Sequence, residues 1–209
     1  QVRLTAGGLI REGDAFLLPS ANWKSVNEAL PVPADVAQFS PSGRWLAWSR
    51  GPFLRVAAPD ALKTPRLDAV HPERISDIVL SESFVAVMGR NLIAWWNLET
   101  GVKRTLASRP HALALDSSLG SLFMGNKDGL LLQIRLSDGE ELQRYTRKTP
   151  SARAHFVGHA AHTSKIAALR VVNEGRHIVS AAFSRTHYCN AAIWSRDGEE
   201  LWRSEDVLG

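Results

Sequence analysis

Apolar and polar positions alternate in short runs along most of the chain, and a turn signal closes each run. Asp35–Phe39 leads into Ser40-Pro41-Ser42-Gly43, Trp45–Trp48 into Gly51-Pro52, and Phe53–Ala57 into Pro59-Asp60, with a weak fourth run at Leu62–Leu67. The order returns as Ile75–Leu80, Phe84–Met88, Asn91–Trp96 and Val102–Leu106, then as His111–Leu115, Ser121–Met124, Leu130–Leu136 and Glu141–Tyr145. A fourth round comprises Lys165–Val172, His177–Ala182, Ala191–Trp194 and Glu200–Arg203, with a polar loop at Ser184–Cys189 before its third run. Runs of four to eight residues bounded by Gly, Pro, Asn, Asp and Ser predict strands joined by tight turns. No stretch carries the 3.6-residue period of a helix, so the chain reads as all-β.

The stretch Asn91–Gly101 sets the pattern for the rest. In a strand, Leu92, Ala94 and Trp96 share one face and Ile93 and Trp95 the other. Both faces are apolar, which predicts a strand buried on both sides between stacked sheets. The adjacent pair Trp95-Trp96 points opposite ways, leaving one ring a route to the surface. Thr100-Gly101 supplies the turn, with Gly able to take a positive φ.

The ends of the first strands fall at Phe39, Leu80, Leu115 and Val172, spaced 41, 35 and 57 residues apart. The first two spacings bracket the repeat of about 40–45 residues of four-stranded units. Residues 146–161, rich in Arg, Ser, Pro, Ala and His, lengthen the third and read as a loop insertion. A fixed repeat of strand, turn, strand, turn and Trp-bearing strand favours a β-propeller over a sandwich, although alternation alone fits both. Residues 1–34 read as a degenerate or incomplete N-terminal unit. Within them Val2–Ile10 and Ala15–Leu18 form two short strands around Arg11–Asp14, and Asn22–Leu30 a third strand or a short helix.

Trp96-Asn97-Leu98-Glu99-Thr100-Gly101 resembles the Trp-Asp-Leu-x-Thr-Gly run that ends the third strand of a WD40 repeat, with Asn for Asp. Asp128-Gly129-Leu-Leu-Leu-Gln-Ile134 resembles the family's Asp-Gly-x-x-x-x-Trp spacing, with Ile for Trp and Arg135 where a second Asp is usual. Gly158-His159 resembles the Gly-His pair that opens a repeat, though far from the next strand, and Ile193-Trp194-Ser195 resembles Ile-Trp-Asp. The likeness covers roughly residues 35–204. It implies an all-β, WD40-like β-propeller of four-stranded antiparallel blades at about 35–70, 71–108, 109–146 and 162–206. With the N-terminal remnant this makes about four to five blades, a partial propeller. The family's blades hold a buried Asp-His-Ser/Thr-Trp network; no unit here shows all four residues, and the fourth lacks the Asp before its Trp. Propellers close with about four to eight blades, and each blade needs neighbours on both sides. The missing blades would come from the same polypeptide or from another chain. Gln1 in place of Met fits a processed product or part of a longer polypeptide.

Composition narrows the function classes. The hydrophobic fraction of 44% and charged fraction of 22% are those of a soluble globular chain, and no apolar run is long enough for a membrane span. No secretory signal is apparent, and a single cysteine excludes an internal disulfide and fits a reducing cytoplasm. The net charge of +4 comes mostly from scattered arginines, a solvated surface first and a weak attraction for nucleic acid or acidic protein second. His155, His159 and His162 lack a neighbouring carboxylate or cysteine and read as a solvated loop rather than a zinc site. His187-Tyr188-Cys189 reads as a structural cysteine at a strand start rather than an activated thiol. Ser180 and Ser184 lie in no nucleophile elbow, and no Gly-rich phosphate loop is present. No catalytic, cofactor or metal residue is therefore expected. The expectation is a non-catalytic protein-interaction or scaffold module of a larger protein or complex. Its candidate contact residues are Arg147, Lys148, Arg153 and His155 of the insertion, with Arg90, Lys127 and Arg185. The alternative is a nucleic-acid-contacting subunit.

Overall fold

A computed structural model describes residues 34–147 apart from 117 and 119, residues 160–183 apart from 163, and residues 188–204; residues 10–12, 15–17, 188–189 and 207–208 are described as backbone only. A short hairpin, β1 (Ile10–Glu12) with β2 (Ala15–Leu17), precedes four antiparallel sheets in chain order. Sheet I is β3 (Val36–Phe39), β4 (Leu46–Arg50), β5 (Phe53–Ala57) and β6 (Leu67–Val70). Sheet II is β7 (Asp77–Leu80), β8 (Phe84–Met88), β9 (Leu92–Asn97) and β10 (Lys103–Ala107). Sheet III is β11 (Pro110–Asp116), β12 (Ser121–Asn126), β13 (Leu131–Arg135) and β14 (Glu141–Tyr145). Sheet IV is β15 (Ile166–Val172), β16 (His177–Phe183), β17 (Tyr188–Ser195) and β18 (Glu200–Arg203), with β19 (Val207–Leu208) pairing the start of β17. Each sheet is an up-and-down meander of sequence neighbours. The described residues contain no helix, and no helix is long and apolar enough to cross a membrane.

Three local expectations shift. The fourth strand of sheet I is β6, beyond the weak run at Leu62–Leu67, because Arg66 N–H pairs with Val56 O and brings Leu67 opposite Val56. Arg11 and Glu12, which the sequence pattern assigns to the N-terminal turn, belong to β1. Tyr188 and Cys189, assigned to a loop, lie within β17. The segment Asn22–Leu30 falls outside the described residues.

Turn side chains explain why the meanders close where they do. Asn97 Oδ1 accepts the N–H groups of Glu99 (2.8 Å) and Thr100 (2.9 Å), so the amide does what a carboxylate would do there. Asn126 Oδ1 accepts from Asp128 and Leu130 in the same way, at the equivalent end of a different hairpin.

The sheets stack face to face. The core between I and II joins Ala47, Leu54 and Val56 to Ile75, Ile78, Val85, Val87 and Trp96. Between II and III, Ala86, Ile93 and Trp95 meet Leu113, Leu122, Met124 and Ile134. Between III and IV, Phe123, Leu131 and Tyr145 meet Ile166, Leu169, Ile178 and Trp194. Trp95 and Trp96 are both buried, one in each flanking core, so neither ring reaches the surface. Full burial of side chains of this size is worth roughly 1.5–3 kcal/mol each, which makes the stacking of sheets the main source of stability.

Each sheet also reaches the next by a side chain bonding a turn carbonyl. Arg66 Nε donates to Leu98 O (2.6 Å), Arg104 Nε to Ser137 O (2.8 Å), and Tyr145 Oη to Arg196 O (3.1 Å). The first strands β3, β7, β11 and β15 lie against one another in succession, so the four sheets share an inner edge.

Candidate functional site

Two features follow from this stacking: a cleft at one end of the shared inner edge and a polar network inside sheet IV. A third is the outer face of sheet IV.

The cleft, about 1030 Å³, opens where β7 and β11 begin and the β8–β9 and β12–β13 turns come together. Its lining includes Arg74, Arg90, Arg109, His111 and Lys127, with Val36, Ile75, Met88 and Pro110 as apolar surface. The one lining carboxylate among the described residues, Asp35, accepts from Gly51 N–H (2.8 Å) and pairs with Arg74 (3.3 Å). Just outside the lining, Glu73 is turned onto Asn91, accepting from its backbone N–H (2.8 Å) and its amide (2.9 Å); these bonds hold its carboxyl below the usual range. Among the described residues no carboxylate lies within ion-pair distance of Arg90, Arg109 or Lys127. Partial burial, Lys165 and Lys127 all depress the His111 imidazole, so at neutral pH it stays uncharged beside these cations. A second cavity of about 440 Å³ runs along β7, β11 and β15 and shares His111. It contains Asp77, whose carboxyl burial pushes up, facing the Arg170 side of β15.

In sheet IV, Trp194 Nε1 donates to Ser180 Oγ (2.8 Å), Ser180 Oγ meets His162 Nε2 (2.7 Å), and His162 Nδ1 meets Asn190 Oδ1. All four side chains are buried. Asn190 Oδ1 can only accept, so it takes the His162 ring proton and leaves Nε2 to accept from the Ser180 hydroxyl, whose oxygen accepts from the indole N–H. The ring proton then sits on Nδ1, facing Asn190 Oδ1. Burial is the main reason His162 titrates at about 4, with Arg203 and Arg147 adding to the effect and the Asn190 bond opposing it. Arg203, ion-paired with Glu200 (2.7 Å), donates to Ala161 O (2.9 Å) and lies over the Trp194 ring, fixing the segment that carries His162. Gly129 of sheet III accepts the His162 backbone N–H (3.0 Å) and sits at φ +82°, where a side chain would run into His162 O.

These observations change two expectations. His162 is buried, so the solvated-loop reading fails for it, and both ring nitrogens are engaged, which leaves none for a metal. A buried four-residue network that the sequence alone does not assemble is present in sheet IV, built from Asn190, His162, Ser180 and Trp194. The sequence signal is slight: His162 stands four residues before β15, nearer to it than His159. Among the described residues no group of three His, Cys, Asp or Glu side chains is placed to hold a metal ion.

Of the candidate contact residues, Arg90 and Lys127 are brought together at the cleft. Arg147 lies half-buried, close enough to His162 to act on its protonation. Lys148, Arg153, His155 and Arg185 lie outside the described residues, as do His159 and Ser184. Sequence reasoning did not single out Arg74, Arg109 or His111, which carry no motif.

The outer face of sheet IV is largely apolar. Cross-strand pairs place Val179, Ile193 and Trp202 in one row headed by Arg170, with Ala181, Ala191 and Phe183 beside it. Trp202 is 52% exposed and Phe183 51%. The corresponding faces of sheets I, II and III lie buried under the sheet that follows.

No family model matches the chain, and no curated protein matches it. Among solved structures 1316 chains match, so the fold is widely reused and does not by itself specify a function. One is the crystal structure of the computationally designed Ika8 protein, similar at a TM-score of 0.65 and 15% identity. The alignment covers 97% of this chain and 62% of the designed one, so this chain spans less than two thirds of that length. At this identity the likeness shows the fold alone.

Proposed function

We propose that the chain is a WD40-like β-propeller portion acting as a non-catalytic recognition or scaffold module within a larger protein or complex. Four stacked four-stranded sheets, the His162–Ser180–Trp194 network with Asn190, and the Asn97 turn support the WD40-like reading. The observation that carries the module reading is the open face of sheet IV. In stacked repeats a terminal unit keeps a polar outer face for solubility, and this one exposes Trp202, Phe183 and Val172. Further blades, on this polypeptide or another, complete the stack there. The function is then assembly and recognition in the cytoplasm, with no reaction assigned to the chain.

The test is the native mass of the full chain by light scattering, with and without Trp202→Glu. The reading expects self-association above the 23.0 kDa formula mass, lost in Trp202→Glu. A cooperatively folding wild-type monomer indistinguishable from the variant overturns it.

The arginine excess has a specific distribution. Arg55, Arg74, Arg135, Arg144 and Arg203 are each ion-paired with Asp or Glu. Arg90, Arg109 and Lys127 at the cleft have no such partner among the described residues, so the cleft gathers unpaired cations from three turns.

A further inference from the structure

We propose that the cleft at the start of β7 and β11 is a docking site for an acidic peptide segment, held by Arg90, Arg109 and Lys127. The proposal rests on the reading of the chain as a recognition module and names the partner class of one surface. Three cations converge from three different turns, and both nearby carboxylates are engaged, Asp35 by Arg74 and Gly51, Glu73 by Asn91. Glu73 keeps its negative charge at the edge, but Arg90, Arg109 and Lys127 form no ion pair with it; like charges so gathered repel one another, and an anionic ligand relieves that repulsion. The mixed lining also offers apolar surface from Val36, Ile75, Met88 and Pro110, which suits a peptide carrying an apolar residue among its carboxylates.

The volume of about 1030 Å³ stands at the upper end of the roughly 300–1,000 Å³ typical of ligand sites, room for a short extended segment. Single-stranded nucleic acid is the other polyanion a basic cleft attracts. Its binding sites combine the basic groove with aromatic side chains on which bases stack. Among the described residues no Phe, Tyr or Trp lines this cleft, so the observations favour a peptide.

The experiment is fluorescence polarisation with the full chain and a fluorescein-labelled peptide of glutamates interspersed with leucines. The same peptide with lysines in place of the glutamates, and oligo-dT, serve as the contrasting probes. Expected is saturable binding of the acidic probe that weakens as salt rises, because the pairs are exposed at the rim. Arg90→Glu and Lys127→Glu should each weaken it about tenfold or more, the loss typical of a reversed interfacial charge. Arg176→Glu makes the same charge change in the β15–β16 turn, at the opposite end of the first strands, and should leave binding unchanged. Trp202→Glu should also leave it unchanged, which separates this site from the open face of sheet IV. Binding lost equally in Arg176→Glu overturns the site, since net charge alone then explains it. Absence of binding by a folded wild-type chain at low salt overturns it too, as does tighter binding of oligo-dT. Each of these leaves the self-association test, and so the module reading, standing or falling by its own result.

Discussion

The two faces of sheet IV are made by the same strands and meet opposite fates. Ile193 and Trp194 are neighbours in β17, yet Trp194 is sealed against Tyr145 and Leu131 while Ile193 lies in a half-open row with Trp202. The difference is not one of hydrophobicity, since both faces are largely apolar. It lies in what is stacked on each. The inner face has sheet III above it and so sustains a buried polar network, where every donor must find an acceptor. The outer face has no such cover among the described residues, and its large side chains stay half exposed. An apolar sheet face records what a strand is suited to meet, and the neighbour decides whether it is met.

That contrast can be broken most forcefully from the inside. Trp194→Ala removes a fully buried ring and the donor to Ser180, and should cost about 3–5 kcal/mol in a urea unfolding experiment. A loss no larger than that of an exposed site would mean the inner face is not the closed one.

Acid should open the same face. A histidine in the unfolded chain titrates near about 6.5, and His162 in the fold at about 4, so between these the unfolded state binds the extra proton. The stability gained by keeping His162 neutral is complete above about pH 6.5 and is lost as the pH falls through about 4, a total of about 3 kcal/mol. Asn190→Asp sharpens the test. A carboxylate against Nδ1 favours the imidazolium, so the loss between pH 7 and 4.5, read from urea midpoints, should shrink. An unchanged acid profile would detach His162 from the effect.

Gly129→Ala probes the seam between sheets III and IV. The positive φ and the collision with His162 O together should cost about 2 kcal/mol or more, measured by thermal unfolding. The smallest effect belongs to the outer face: Trp202→Glu should change folding stability by less than about 0.5 kcal/mol while abolishing self-association. Destabilisation comparable to Trp194→Ala would erase the distinction between the two faces.

Much of the fold was legible because it is local. The two-residue period, the turn residues and the doubly apolar β9 follow from a few adjacent positions, and they located fifteen of the sixteen meander strands to within a few residues, β6 being the exception. Leu62–Leu67 misled because its apolar residues resemble a strand, whereas the hydrogen bonds to β5 begin only at Arg66. The fate of the Trp95-Trp96 pair was only half legible: alternation gave opposite directions, and only a sheet on each side made both buried.

The sites were less legible, and the reason is distance along the chain. Asn190, His162, Ser180 and Trp194 belong to three segments, and composition gives no sign that they meet. Arg90, Arg109 and Lys127 are scattered among many arginines and lysines, identical in sequence to those neutralised on the surface. By itself the sequence determined which residues alternate, where the chain turns and that several apolar faces need cover. Only the tertiary structure decided which faces are covered, which histidine is buried and which cations lack a counter-charge. Alternation is fixed by backbone geometry within one strand, whereas burial and charge pairing depend on whatever other strand is brought alongside.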